Sequence, residues 1–282
     1  MPTTLATCGA DSTDLVRQPV IDAFRSQYAA SPAFWGRYFK APANPDDIQY
    51  KYKKENRVLH ENNIKLLPIA RQTSRVAGSE AEGRTDGTHN AAAVIEAFGA
   101  PFLVQAGVAP LVFLDTEPEG TGPALSFDYY VGWARGLIAE GKRQTGGRLQ
   151  FQPGIYLNSS GHEGNGRVAA HVAAHVLALI QSNQLEGELQ CRAIWSAKYG
   201  DRTPLSPIPA WADQETRLPE MPATCPVIAW QWAEAKDNIP RLPIDPNLLH
   251  PSAGAEFLTH LLVPPLPPSL FSRVLRWFRP SA

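Results

Sequence analysis

Short apolar runs alternate with stretches of helical periodicity through the first two thirds of the chain, and then the helical period stops. Leu5–Ala10 leads into a helical pattern over Val16–Ala29, Phe34–Phe39 into one over Glu55–Asn62, and Ile64–Ala70 into one over Asn90–Phe98. Val108–Asp115 and Phe151–Tyr156 follow as the fourth and fifth strands, with helical patterns over Ser126–Glu140 and Arg167–Gln184. An apolar strand followed by a helix reads as part of a parallel sheet with crossover helices. After Cys191 the rhythm changes. Ala193–Ala197, Val227–Trp232 and Leu242–Ile244 read as strands, but the proline-rich segments between them show no helical period.

Five βα units followed by three helix-poor strands suit an α/β fold, a TIM-like (β/α) barrel with parallel strands. The chain has 282 residues, close to the roughly 250 such a barrel needs. With 44% hydrophobic and 19% charged residues it can bury a core of that size. The same order of elements also fits a doubly wound open sheet, and no internal repeat decides between them. The segment Arg71–His89, rich in Gly, Ser, Thr and charge, reads as a long loop, either a lid or an insertion. The expected division is a barrel over 1–262 and, over 263–282, a proline-rich spacer with a short amphipathic helix. In that helix Phe271, Val274, Leu275 and Phe278 share a stripe among Arg273, Arg276 and Arg279. Such a stripe docks on the barrel, or meets a membrane surface or a protein partner.

A formal net charge of −1 offers no footprint for nucleic acid. Cys8, Cys191 and Cys225 are odd in number and far apart, which is neither a disulfide framework nor a metal-ligand spacing, so all three are expected reduced and buried. The first residues lack a basic start and an apolar run, and no stretch reaches membrane-spanning length. The expected location is cytoplasmic, or outside the cell by a signal-independent route.

The chemistry concentrates where strands end. Leu111–Asp115 runs on through Thr116 to Glu117, an apolar strand finishing in two carboxylates two positions apart. Period-2 geometry aims both at one side. Close carboxylates raise one another's pKa, which leaves one protonated as general acid and one ionised, the division of labour in glycoside hydrolysis. Asp11 ends the first strand, Arg37 and Tyr38 the second, Tyr156 the fifth and Trp195 the sixth, with Gln72 just past the third. Trp230 and Gln231 end the seventh strand and Asp245 follows the eighth. Aromatic faces pack on sugar rings while acids and amides bind hydroxyls, so this set suits a carbohydrate.

Other patterns point nowhere. His171 and His175 have metal-ligand spacing on a helix but lack the Glu of a zincin motif, and no metal or cofactor is expected. Gly161–Gly166 has no phosphate-loop pattern, and Ser159 and Ser160 lie in no nucleophile elbow. Lys51, Lys53 and Lys54 with Tyr50 and Tyr52 read as a solvated helix start.

From about Cys8 to Leu249 the chain resembles the glycoside hydrolase family 25 lysozymes and the related glycoside-hydrolase-like domain of unknown function. The resemblance rests on Gly9-Ala10-Asp11-Ser12, Gly36-Arg37-Tyr38, Asp115-Thr116-Glu117, Ile155-Tyr156, Trp195, and Trp230-Gln231 followed by Asp245. It implies a barrel of five βα units and three strands without helices. It also implies Glu117 as general acid, Asp115 as the carboxylate that steers the substrate's acetamido group, and Asp11 and Asp245 as accessory acids. The implied substrate is peptidoglycan, cleaved between N-acetylmuramic acid and N-acetylglucosamine, or a related N-acetylated glycan. The competing reading is a non-catalytic glycan-binding or protein-interaction barrel that keeps the pocket without turnover.

Overall fold

The computed structural model of the chain describes residues 7–39, 48–71, 75–116, 125–158, 178, 180, 187–215, 221, 223–235 and 242–266. Eight strands close a barrel in chain order: β1 (Cys8–Asp11), β2 (Phe34–Phe39), β3 (Lys65–Arg71), β4 (Leu111–Asp115), β5 (Gln152–Asn158), β6 (Ile194–Ala197), β7 (Val227–Gln231) and β8 (Asp245–Leu249). Closure removes the open-sheet alternative. It also leaves no unpaired edge. Around it lie α1 (Gln18–Tyr28), α2 (Tyr52–Glu61), α3 (Glu80–Phe98), α4 (Ala100–Ala106), α5 (Phe127–Thr145), α6 (Ala212–Glu215) and α7 (Ala253–Thr259). The helix expected over 167–184 lies outside the described residues except at 178 and 180, which are helical.

The expectation of a wholly parallel barrel fails at one strand. Neighbours from β1 to β7 are parallel, but β8 runs antiparallel to both β7 and β1. An antiparallel neighbour needs no crossover helix, and the connection 232–244 carries Pro240 and Pro243. The strand expected at Leu242–Ile244 is displaced to Asp245–Leu249 for the same reason. Asp-Pro-Asn is a poor strand sequence on its own, and it is held extended by partners on both sides.

Alternation along the strands separates two cores. Phe34, Leu67, Ile69, Leu111, Phe113, Trp195 and Leu249 fill the barrel, while Trp35, Val112, Leu114, Ile155, Trp230 and Leu248 face the outer layer. Phe257 of α7 plugs the lower end, edge-on to Phe34 at 6.4 Å and Phe113 at 5.9 Å. Beyond it Leu262 bridges to Leu66, and the carbonyls of Pro264 and Pro265 meet His60 and Asn56. The boundary expected at 262/263 therefore falls inside a docked stretch; the expected amphipathic helix lies outside the described residues.

Ten residues expected to be loop belong to α3, which starts at Glu80 rather than Asn90. Ser79 caps it with Glu82 in a reciprocal capping box. Gly83 and Gly87 hide the apolar period there, because they serve a backbone contact. A Cβ on Gly87 would lie 2.1 Å from the Trp133 carbonyl oxygen of α5, and one on Gly132 would lie 2.0 Å from that of Glu80. Gly87→Ala in an open helix would gain about 1 kcal/mol. Here it should lose about 1–3 kcal/mol, because the two helices must separate. A urea titration that showed Gly87→Ala more stable than wild type would rule out this close approach.

Polar groups seam the same pair: Tyr129 donates to Asp86 at 2.8 Å, and Trp133 donates to Asn90 at 3.1 Å. Burial raises the Asp86 carboxyl above its ordinary value, against the Tyr129 hydrogen bond and Arg75. None of the three cysteines forms a disulfide and all are buried, and burial pushes the Cys8 thiol up to about 11. Among the described residues no helix is long and apolar enough to cross a membrane.

Candidate active site at the barrel mouth

Every strand from β1 to β7 brings its last residues to the same end of the barrel, and antiparallel β8 brings its first. Asp11 closes β1 directly opposite Asp245, the opening residue of β8. Asp115 closes β4 between Arg71 and Tyr156, its partners in register on β3 and β5. Tyr38 and Arg71 continue the interior faces of β2 and β3 beyond Gly36 and Ile69. Gly36 is needed at that step: a Cβ there would lie 2.7 Å from the Asp11 Cβ and 3.3 Å from the Trp195 ring.

Hydrogen bonds fix the ring of side chains. Trp195 Nε1 donates to Asn247 Oδ1 at 2.8 Å, and Asn247 Nδ2 donates to Asp11 Oδ1 at 2.7 Å. On the other side Tyr156 donates to Gln231 Oε1 at 2.8 Å, and Gln231 Nε2 donates to the Tyr199 hydroxyl at 3.2 Å. Asp245 Oδ1 accepts from the Ala235 amide at 2.6 Å. Arg71 lies 4.0 Å from Asp115 and sits over the Tyr38 ring at 5.7 Å. Trp195 and Tyr156 meet edge-on at 4.6 Å and form the floor.

Tyr38 reports the field at this mouth. Its phenol is held well above the ordinary range, first by burial and then by Asp11, Asp115 and Asp245, with Arg71 opposing. One hydroxyl therefore feels three carboxylates from three strands. Acids, amides and hydroxyls over an aromatic floor can bind sugar hydroxyls and pack the apolar face of a ring.

The comparisons with known proteins add a likeness of fold. No protein-family model and no curated protein matches the chain. An uncharacterized B. stearothermophilus protein, known from a 1.07 Å crystal structure, aligns over 90% of this chain and 99% of its own at 20% identity, with a TM-score of 0.53. The catalytic domain of endolysin ply40 from bacteriophage P40 of Listeria monocytogenes aligns over 92% and 99% at 16% identity, TM-score 0.47. The CTP1L endolysin aligns over 89% of this chain and 69% of its own at 13% identity, TM-score 0.47.

Of the residues singled out in the sequence, Asp11, Tyr38, Asp115, Tyr156, Gln231 and Asp245 meet at the mouth, with Trp195 beneath them. Arg37 and Trp230 do not. Each sits one position from an inward-facing residue, so the period of two turns it to the outer layer. Arg37 there closes on Glu55 at 2.8 Å, and Trp230 Nε1 donates to the Lys198 carbonyl at 2.8 Å. Gln72 and Glu117 lie outside the described residues. Arg71, Tyr199, Asn247 and Asn158, whose Nδ2 donates to the Tyr199 hydroxyl at 3.4 Å, were missed. Alternation from Ile69 could have found Arg71, and alternation from Tyr156 could have found Asn158. Asn247 was hidden because the eighth strand was placed before it. Among the described residues no group of acids, histidines or cysteines could hold a metal ion.

Proposed function

We propose that the chain is a glycoside hydrolase of the lysozyme (N-acetylmuramidase) type, acting on peptidoglycan or a related N-acetylated glycan. The observation that carries this reading is the convergence of Asp11, Asp115 and Asp245 on Tyr38 at one end of a closed barrel. Buried or half-buried acids from three strands have no packing reason to share one mouth. Barrel enzymes place their chemistry at that end. Glu117, two residues past Asp115, is the general acid in this scheme and delivers a proton to the leaving oxygen. Asp115 orients the acetamido group, whose oxygen attacks the anomeric carbon. Water then opens the resulting ring, and configuration is retained without a protein nucleophile, an exception to the two-carboxylate scheme.

Incubation of the purified chain with peptidoglycan, followed by mass analysis of the released ends, tests the reading. New reducing ends on N-acetylmuramic acid are expected. Intact glycan that remains bound to the protein would instead mark a binding barrel without turnover.

A further inference from the structure

We propose that Arg71 reads the lactyl group of N-acetylmuramic acid, its guanidinium donating to the lactyl carboxyl oxygens. In this role, which rests on the lysozyme-type reading above, Arg71 distinguishes muramic acid from N-acetylglucosamine beside the cleaved bond.

Arg71 ends β3 on its interior face. Leu67 and Ile69 fill the barrel below it, and the period of two carries Arg71 to the mouth. It stands in register with Asp115 on β4, with its Nε 4.0 Å from Asp115 Oδ2. At that separation the two charges attract without a hydrogen bond. The guanidinium also lies over the Tyr38 ring at 5.7 Å, a contact that favours its place above the aromatic face. The Arg71 side chain is 30% exposed, against 4% for that of Asp115. A molecule in the mouth can therefore touch it. Since the approach to Asp115 is through Nε, the N–H donors of Nη1 and Nη2 serve a second acceptor.

Asp115 says which part of a sugar that acceptor belongs to. In the scheme above its carboxylate orients the acetamido group on C2 of the ring at the cleaved bond. In a muramidase that ring is N-acetylmuramic acid, which carries its lactyl ether on C3, the neighbouring carbon. Neighbouring substituents thus meet neighbouring side chains. Charge selects the same pairing: Asp11, Asp115 and Asp245 make the field at Tyr38, and Arg71 is the cation that opposes it. A carboxylate is repelled at this mouth except beside the guanidinium, whose planar fork matches two carboxylate oxygens. Where a stem peptide converts the carboxyl to an amide, the carbonyl oxygen still accepts. N-acetylglucosamine has only a hydroxyl on C3.

Calorimetric titration of the intact chain with two disaccharides tests this. One is N-acetylglucosaminyl-N-acetylmuramic acid, which ends before the bond to be cleaved and stays intact; the other is the N-acetylglucosamine disaccharide, which lacks the lactyl group. Wild type should bind the muramic disaccharide more tightly. Arg71→Met keeps the apolar stem and removes the donors. It should weaken the muramic disaccharide about 10–100-fold, the range for a hydrogen bond to a charged group, and leave the other unchanged. Arg71→Gln serves if the methionine variant does not fold. An equal loss for both disaccharides would mean that Arg71 acts only through the charge on Asp115, and overturns its role in recognition. So does a variant that keeps the wild-type preference, or a wild type that has none. A wild type that binds neither disaccharide overturns the lysozyme-type reading and the role of Arg71 together.

Discussion

Glu117→Gln should hydrolyse peptidoglycan roughly 10²–10⁴-fold more slowly than wild type while still binding the glycan. Glutamine keeps the shape and hydrogen bonding of the side chain but has no proton to give to the leaving oxygen. Asp115→Asn should also cut turnover, by removing the charge that orients the acetamido group. Rates of reducing-end release at saturating substrate separate the chemical step from binding. Equal rates for wild type and Glu117→Gln would remove Glu117 from the mechanism.

Arg37→Met should lower stability by about 3–5 kcal/mol, the usual result of stranding one member of a buried ion pair. Arg37 and Glu55 are both fully buried. Glu55 accepts from Arg37 Nε, from the Val16 amide at 2.9 Å and from the Lys51 amide. Arg37 also donates to the Ser12 and Gln49 carbonyls. Removal of the cation leaves a carboxylate in the interior without its counter-charge. Arg37→Met with Glu55→Leu should recover much of the loss, because neither charge then remains to be solvated. Urea unfolding of the single and double variants measures the difference. A single variant as stable as wild type would show that Glu55 is neutralised in some other way.

The pair also explains why the sequence reading of Arg37 as a substrate contact failed. Arg37 adjoins Tyr38, and nothing in the residue types says which of the two faces inward. Only the register of β2 against its neighbours settles it, through Ile69 opposite Tyr38 and Pro68 opposite Arg37. Its role is to tie the loop after Asp11 and the segment of Gln49 to the outer face of β2. Trp230 fell to the same ambiguity. Tyr156 and Gln231 had the favourable phase and reached the mouth.

What the sequence determined by itself was local: the strands β1 to β7, the helices α1, α2 and α5, and the loss of helical period after Cys191. Hydrophobic periodicity is a direct consequence of backbone geometry, so it can be read residue by residue. The tertiary structure decided whatever depends on partners far apart in the chain. The antiparallel course of β8 comes from pairing with β1, more than two hundred residues earlier, as in the hydrogen bond from Asn247 to Asp11 at a separation of 236 residues. The early start of α3 comes from glycines that make sense only against α5. The convergence of three acids on Tyr38 comes from closure of the barrel, since a period of two gives each side chain a face but only the pairing of strands says which faces meet.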